Sequence, residues 1–189
     1  MFSSTGGAIY GSVDEPARES SPLLPVSAYG LAKRSGEVYL DGWNRIFQAK
    51  HVTLRFANVY GPRQSAALEG GVIAIFLERL AAGEPTTIFG DGTITRDFVH
   101  VDDVVRALLL AAKHEGGVFN VGTGVATSIA DLHALCERAL GVEAPPRFGP
   151  PRAGDALHSV LDTSRAAAEL GFTAAVALAE GIAATAAAT

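Results

Sequence analysis

Tyr29 and Lys33 are the residues whose types and spacing point most directly to chemistry. Side chains four positions apart lie on one face of a helix and can act together. A lysine ammonium stabilises the phenolate form of a neighbouring tyrosine, which is the form that a general base requires. A tyrosine packed on a lysine stem would have the same spacing, so the pair alone leaves both interpretations open.

Hydroxyl side chains precede two glycines near the start of the chain, where Ser4 and Thr5 are followed by Gly6 and Gly7. A hydroxyl at the end of a strand, beside glycines that permit close approach, can hydrogen-bond a substrate hydroxyl. An ordinary Ser/Thr turn accounts for the same residues. We expect residues 3–7 to be rich in turns, either as a short terminal loop or because a preceding strand is lost or lies on another polypeptide.

Short β-branched runs alternate with longer helical patterns, which predicts an α/β fold. Ser27, Thr127 or Ser128, and Thr163 are the predicted helix caps, and Asp102 and Asp103 suit a helix N-terminus. Helices are predicted at about 28–48, 71–82, 102–113, 128–141, 163–171 and 176–188, strands at 52–57, 86–89, 96–101 and 118–121, and a Pro/Gly loop at 144–154.

The composition excludes several classes of protein. With 189 residues, 48% hydrophobic and 19% charged, the chain fits one domain, or one domain and part of another. A net charge of −5 without a basic run argues against nucleic acid as a partner. The lone Cys136 excludes a disulfide framework and a cysteine metal site, and no metal site is predicted. Without a signal peptide pattern or a bilayer-length apolar run, we expect a cytoplasmic protein with no membrane association.

Further segments follow Ser4, Thr5, Tyr29 and Lys33 in an order that is informative as a whole. They are Arg55-Phe56-Ala57-Asn58-Val59-Tyr60-Gly61-Pro62-Arg63, Ile88-Phe89-Gly90-Asp91-Gly92, Arg96-Asp97-Phe98-Val99-His100-Val101-Asp102-Asp103-Val104, Phe119-Asn120-Val121-Gly122-Thr123-Gly124 and Pro151-Arg152-Ala153-Gly154-Asp155. In this order and spacing the sequence resembles the extended short-chain dehydrogenase/reductase family of NAD-dependent epimerases and dehydratases, closest to its UDP-glucose 4-epimerase-like branch.

The resemblance implies the C-terminal part of a Rossmann-type parallel sheet together with a small α/β substrate-binding lobe. Residues 1–62 would be the remnant of the Rossmann domain, and residues 63–189 the sugar-nucleotide lobe interleaved with the last Rossmann elements. The family begins with a strand and a Gly-x-x-Gly-x-x-Gly turn that receives the NAD pyrophosphate. No such segment is found, so we expect a chain without the N-terminal NAD-binding half and with impaired turnover.

The same resemblance implies roles for individual residues. Tyr29 would be the general base, Lys33 would hold the nicotinamide ribose, and Thr5 with Ser4 would bond the reacting oxygen. The implied cofactor is NAD, contacted by Tyr29, Lys33, Phe56 and Ala57. The implied substrate-binding residues are Asn58 and Val72 for the nucleotide, Phe89 for the uracil, Arg96 and Arg152 for the diphosphate, and Asp155 for a ribose hydroxyl. Phe89 could equally be core, whereas Arg55 and His100 are expected to be structural.

The implied activity is epimerisation of a nucleotide sugar of the UDP-glucose/UDP-galactose type by transient oxidation at C4. Gly6, Gly7 and Ala8 provide no acid or base after Thr5, which disfavours elimination chemistry. The alternatives are a non-catalytic fragment that needs a partner half, and an epimerase or reductase acting on another nucleotide sugar. A homodimer is expected through the Tyr29 helix, with which Val38, Leu40, Trp43 and Phe47 are compatible, although these residues could equally be core.

Overall fold

The structure, a computed structural model, describes residues 1–67, 71–152 and 155–188. Ala153 and Gly154, part of a segment on which the resemblance relies, lie outside the described residues. In chain order the elements are β1 (Phe2–Thr5), α1 (Gly6–Ile9), α2 (Ala28–Phe47), β2 (Thr53–Phe56), β3 (Asn58–Tyr60), α3 (Val72–Ala81), β4 (Thr87–Phe89), β5 (Thr95–Arg96), β6 (Phe98–His100), α4 (Val101–Ala111), β7 (Val118–Val121), β8 (Thr127–Ser128), α5 (Ile129–Leu140), β9 (Arg147–Gly149), β10 (His158–Ser159), a π-helix (Ala166–Leu170) and α6 (Leu178–Ala186).

A three-stranded parallel sheet in the order β1-β2-β7 forms the centre of the molecule. Its register aligns Ser4 with Arg55 and Arg55 with Asn120, so these three polar residues form one row on one face of the sheet. Helix α2 covers that face, since its Gly36 lies against the ring of Phe2, which points to the same side as Ser4. The parallel arrangement confirms the predicted α/β class.

The remaining strands form small sheets beside the central one. β3 pairs with β6 and β4 pairs with β9, both in parallel, while β5 lies between parallel β10 and antiparallel β8. One hydrophobic cluster surrounds the central sheet, with Leu54, Phe119 and Phe172 among its buried members. A second includes buried residues of α3, α5 and α6, among them Phe76 and Leu132. The second cluster also includes Ile88 of β4.

Helix α2 has the ends that the sequence predicts. The hydroxyl of Ser27 accepts a hydrogen bond from the Gly30 amide, and Gln48 ends the helix in the left-handed conformation with φ 52°. Gly30 is buried, and a Cβ at this position would lie 2.6 Å from the Ala8 carbonyl oxygen, so the close approach of α2 to α1 requires glycine here. Among the described helices, none combines the length and the apolar character that a membrane crossing requires.

Several local predictions were wrong. Residues 2–5 form a strand, and Gly6–Ile9 a short helix, instead of a turn-rich opening. The predicted strand at 96–101 is divided into β5 and β6 around Asp97, and the predicted loop at 144–154 contains β9. The helix predicted at 163–171 is present over residues 164–170 and ends at Gly171, but Ala166–Leu170 is a π-helix. The Ser164 amide donates to the carboxylate of Asp162, so Thr163 is not the cap that was expected.

Candidate active site

The carboxyl ends of β1 and β2 and the first turn of α2 enclose a cavity of about 430 Å³. Ser4 and Thr5 enter from β1, Phe56 and Ala57 from the end of β2, and Tyr29 from α2. The other lining residues are Gly7, Ala8, Asn58, Val59, Gln64 and Gly71. Parallel sheets bind ligands at this edge, outside the carboxyl ends of their strands. We call this space the tyrosine cavity.

Tyr29 is accessible to a ligand in the tyrosine cavity, because its side chain is 53% exposed. Lys33 follows one turn later on α2, with its Nζ 5.7 Å from the centroid of the Tyr29 ring. The ammonium donates a hydrogen bond to the main-chain oxygen of Ser3 at 2.9 Å, which ties it to β1. Lys33 itself does not line the cavity, but its ammonium lies beside the tyrosine ring that does.

Ser4 presents an unused hydroxyl to the tyrosine cavity. Its Oγ is buried and has no hydrogen-bond partner within the described ranges of the chain. Thr5 precedes α1, but its hydroxyl does not cap that helix. A buried hydroxyl without a partner is costly, so a ligand that hydrogen-bonds Ser4 recovers that free energy.

A second cavity, of about 310 Å³, is lined by every residue predicted to bind the substrate. Those residues are Asn58, Val72, Phe89, Arg96, Arg152 and Asp155. We call this space the arginine cavity. It also contains apolar residues that the sequence did not single out, namely Ile75, Phe76, Ile88, Ile94 and Ile129, together with Gly71 and Thr87. Ile75 could have been found from the helical spacing, because it lies three residues after Val72 on the same face of α3.

Two guanidinium groups give the arginine cavity its charge. The Cζ of Arg152 lies 3.8 Å from the centroid of the Phe89 ring, in a close cation–π contact. Arg96 donates from Nη1 to the main-chain oxygen of Thr95 at 2.8 Å. Burial lowers the pKa of Arg96 from its ordinary value, and the charge of Asp155 opposes that shift. This arrangement suits an anion that bears several oxygens.

The two cavities adjoin, because Asn58 and Gly71 line both of them. The Asn58 side chain also approaches α1 closely: a Cβ on Gly7 would lie 2.8 Å from its Oδ1. A larger residue at position 7 would therefore displace the asparagine. One ligand of extended shape could occupy both cavities at once.

A buried polar network holds α2 against the sheet. Glu37, two turns after Tyr29, pairs with Arg55 at 2.6 Å, and both side chains are less than a tenth exposed. Arg55 also donates to the Tyr10 hydroxyl at 2.8 Å, and Tyr10 in turn donates to Asn120 Oδ1 at 2.7 Å. Burial opposes the charge of Arg55, but the hydrogen bond to Glu37 and the neighbouring Tyr10 raise the pKa of Arg55 overall. Arg55 therefore has a structural position, as expected.

Asp97 holds the glycine-containing loop after β7 in place. Its carboxylate accepts hydrogen bonds from the Thr123 amide and hydroxyl and from the Gly124 amide, at 2.6–3.0 Å. Burial raises the pKa of Asp97, and the bonds from Thr123 oppose that shift. The main-chain oxygen of Asp97 accepts from the Asn58 amide at 2.9 Å. Sequence reasoning assigned no role to Asp97, although it lies beside Arg96 and is bonded to Asn58.

His100, Asp102 and Asp103 have structural positions at the start of α4, as expected. His100 caps α4, since its side chain accepts from the Asp102 amide at 3.3 Å. Asp102 and Asp103 lie in the first turn, as predicted for a helix N-terminus. Asp103 is buried and also accepts hydrogen bonds from the Ala175 and Val176 amides, so it fixes the segment before α6.

Comparison with known proteins identifies relatives along nearly the whole chain. Residues 1–122 match the model of the NAD dependent epimerase/dehydratase family. A UDP-glucose 4-epimerase of Mycolicibacterium smegmatis is 48% identical over 188 residues, which are 98% of this chain and 60% of that protein. The chain thus spans about 60% of the length of such relatives.

Solved structures of the same kind of enzyme also resemble this chain. The crystal structure of UDP-glucose 4-epimerase with UDP-glucose from Thermotoga maritima superposes with a TM-score of 0.96 at 47% identity, covering 99% of this chain and 62% of that one. The Thermus thermophilus UDP-glucose 4-epimerase in complex with NAD gives 0.92 at 40% identity, covering 99% and 62%. The family match extends from β1 to Gly122, directly after β7, and the chain belongs to the NAD dependent epimerase/dehydratase family.

Proposed function

We propose that this chain carries the catalytic pair and the nucleotide-sugar site of an NAD-dependent epimerase of the UDP-glucose/UDP-galactose type. The observation that carries the proposal is the adjacency of the tyrosine cavity and the arginine cavity through Asn58 and Gly71. A sugar in the first cavity could remain attached to a nucleoside diphosphate in the second. The 48% identity to a UDP-glucose 4-epimerase supports the choice of substrate class.

The residues around the tyrosine cavity fit a nicotinamide cofactor. Phe56 and Ala57 line the cavity. Lys33 donates one of its three N–H groups to the main-chain oxygen of Ser3, which leaves two donors for ribose hydroxyls. The Ser4 hydroxyl, which has no partner in the described part of the chain, lies in the same space. When bound, NAD supplies the acceptor and donor of hydride for oxidation and reduction at sugar C4.

The protein's own residues would handle the proton. Tyr29, acting as the general base, removes the proton from the C4 hydroxyl and later returns it to the C4 oxygen. Ser4 and Thr5 hydrogen-bond that oxygen while it passes through the carbonyl state. Because the cycle ends with the cofactor in its starting state, no external oxidant is required.

The arginine cavity would anchor the nucleotide. Arg96 and Arg152 bind the diphosphate, the Phe89 ring contacts the uracil, and Asp155 accepts from a ribose hydroxyl. Asn58 and Val72, which line the same cavity, contact the nucleotide. The contact of Arg152 with the Phe89 ring supports a role for Phe89 in the site in addition to packing.

An alternative is that the chain is a non-catalytic fragment that works only with a partner half. β1 pairs with β2 alone among the described strands, so one of its edges is available to a further parallel strand. The shared length of about 60% with the relatives supports this possibility. Another nucleotide sugar, acted on by epimerisation or reduction, is the other alternative, because the described contacts do not distinguish sugars.

We also propose that the chain forms a homodimer through α2 and resides in the cytoplasm. Val38, Trp43 and Phe47 are exposed on α2, which supports an interface and argues against the core interpretation, while Leu40 is half-buried. The single buried Cys136 is in keeping with a reducing compartment.

The test is conversion of UDP-galactose to UDP-glucose with added NAD. The assay is run on the chain alone and with the N-terminal part of the Mycolicibacterium smegmatis relative supplied in trans. We expect turnover in at least the second case, and Tyr29→Phe should lower it by about 100-fold or more. Tyr39→Phe, an exposed tyrosine on the same helix, is the matched control and should retain activity. Turnover only in the second case would favour the fragment that needs a partner half. No turnover in either case would overturn the catalytic proposal.

A further inference from the structure

Gln64 lies where the two cavities meet, yet neither the motifs nor the resemblance assigns it a role. It lines the tyrosine cavity together with Asn58 and Gly71, the residues that continue into the arginine cavity. A ligand with its reacting carbon at Tyr29 and its phosphates at the arginines would have to pass this position. The part of a nucleotide sugar that lies between those points is the sugar ring itself.

The orientation of the Gln64 amide follows from its hydrogen bond. Nε2 donates to the main-chain oxygen of Val59 at 3.1 Å, and only the nitrogen end of an amide can do so. Oε1 is therefore directed away from that carbonyl. It is buried and has no hydrogen-bond partner in the portion of the chain that the structure describes.

The surroundings allow the amide to take this position. An ideal Cβ on Gly71 would lie 2.7 Å from Nε2 and 2.9 Å from Oε1, so a side chain at position 71 would displace the amide. Ser4 Oγ is another buried atom of the tyrosine cavity that lacks a partner among the described residues. The cavity thus offers an acceptor at Gln64 in addition to the hydroxyl at Ser4.

A buried acceptor without a donor costs free energy, and a ligand that supplies the donor recovers it. Sugar hydroxyls are donors, whereas a diphosphate in this environment only accepts. We propose that Gln64 is a specificity-determining residue whose Oε1 accepts a hydrogen bond from a hydroxyl of the sugar. This inference rests on the proposed function, because it takes the ligand to be a nucleotide sugar.

The test compares the binding of UDP-glucose with that of UDP by isothermal titration calorimetry, without any need for turnover. Gln64→Met removes the acceptor at nearly constant volume and should raise the Kd of UDP-glucose about five- to tenfold, with the Kd of UDP unchanged. Gln64→Glu keeps an acceptor oxygen at the same place and should bind UDP-glucose more tightly than Gln64→Met. Gln48→Met, the other glutamine of the chain and exposed at the end of α2, is the matched control.

Deoxy analogues of UDP-glucose identify the hydroxyl. The analogue that lacks the bonded hydroxyl should bind the wild-type chain with a Kd raised by the same factor as Gln64→Met causes for UDP-glucose. Gln64→Met should not weaken the binding of that analogue any further. Equal weakening of UDP and UDP-glucose by Gln64→Met, or no effect on either, would overturn the assignment while leaving the proposed function intact. Absence of any binding of UDP or UDP-glucose to the folded wild-type chain would overturn the proposed function, and the assignment of Gln64 with it.

Discussion

Phe89 is the residue whose position most changes its interpretation. From the sequence it could be an ordinary core residue of a short strand. In the structure it is half-buried at the end of β4, and the guanidinium of Arg152 lies over the face of its ring. Because a planar cation on an aromatic face is held in orientation as well as in place, the ring fixes how Arg152 meets an anion. At this scale, the proposed binding of a diphosphate should depend on the aromatic partner as well as on the arginine.

Replacing Phe89 by leucine should therefore weaken binding of UDP. Leucine retains an apolar side chain for packing but removes the aromatic face, so we expect the Kd of UDP to rise about three- to tenfold. Phe148→Leu is the control, since Phe148 lies on the neighbouring β9, is exposed, and does not line the arginine cavity. Calorimetry with UDP gives the comparison. Equal affinity of Phe89→Leu and the wild type would contradict a contribution from the ring.

At the scale of elements, α2 is the helix on which the candidate chemistry depends. Its inner face carries Tyr29, Lys33 and Glu37 at intervals of four residues, so the phenol, the ammonium and the carboxylate form one line along the helix. Lys33 is bonded to β1 and Glu37 to Arg55 on β2. The contacts of Lys33 and Glu37 with the sheet therefore fix the position of Tyr29 relative to the ends of β1 and β2.

Breaking the Glu37–Arg55 pair on one side should destabilise the fold strongly. Glu37→Gln leaves a buried guanidinium without its counter-charge, and we expect the free energy of unfolding to fall by about 3–5 kcal/mol. Glu37→Leu combined with Arg55→Met should recover much of that loss, because no unpaired charge then remains. Urea denaturation followed by circular dichroism measures the free energy of unfolding of the single and the double variant.

Asp41 and Arg45 provide the control for this prediction, since they form an exposed ion pair at 3.2 Å on the same helix. Asp41→Ala should change stability by less than about 1 kcal/mol. If Glu37→Gln proved as mild as Asp41→Ala, the ion pair would not be what holds α2 to the sheet.

Elements with strong local signals were predicted well, and these include the paired strands β2 and β7. A short strand without such a signal was not. Ser27 and Ser128 cap α2 and α5 as expected, because a hydroxyl before an amphipathic stretch is a local signal. β9 was missed because its three residues are stabilised by pairing with β4 and not by their own pattern. The π-helix after Thr163 likewise has no signal in the residue types.

Residues of the candidate site were also predicted where a local pattern or the resemblance indicated them, and missed where their role depends on the folded structure. Spacing within one segment predicted the Tyr29–Lys33 pair, and resemblance gathered the residues that line the arginine cavity. Gln64 was missed because its importance depends on an oxygen at the junction of two cavities that has no partner among the described residues. Asp97 was missed because its partners, Thr123 and Gly124, lie far along the chain. Such roles exist only once the chain has folded.

At the scale of the whole molecule, the outer surface of α2 is the feature that most needs an explanation. Tyr39, Trp43 and Phe47 follow one another as neighbouring rings, with centroids 6.3 Å and 4.3 Å apart, and all three are exposed. Ile46 lies beside them and is 73% exposed. An aromatic and aliphatic surface of this kind is typical of an interface between protein chains. A second copy of the chain is the occupant that we propose.

Ile46→Glu should therefore convert a dimer into a monomer. A two-fold interface uses the same surface of both copies, so a carboxylate within it would introduce a buried charge on both sides. Sedimentation velocity at matched concentrations should give a dimer for the wild type and a monomer of unchanged circular dichroism for the variant. Leu109→Glu, a similar change at an exposed leucine of α4, should remain dimeric. A monomeric wild type, or a dimer that tolerates Ile46→Glu, would assign this surface to some other partner, such as the N-terminal half supplied in trans.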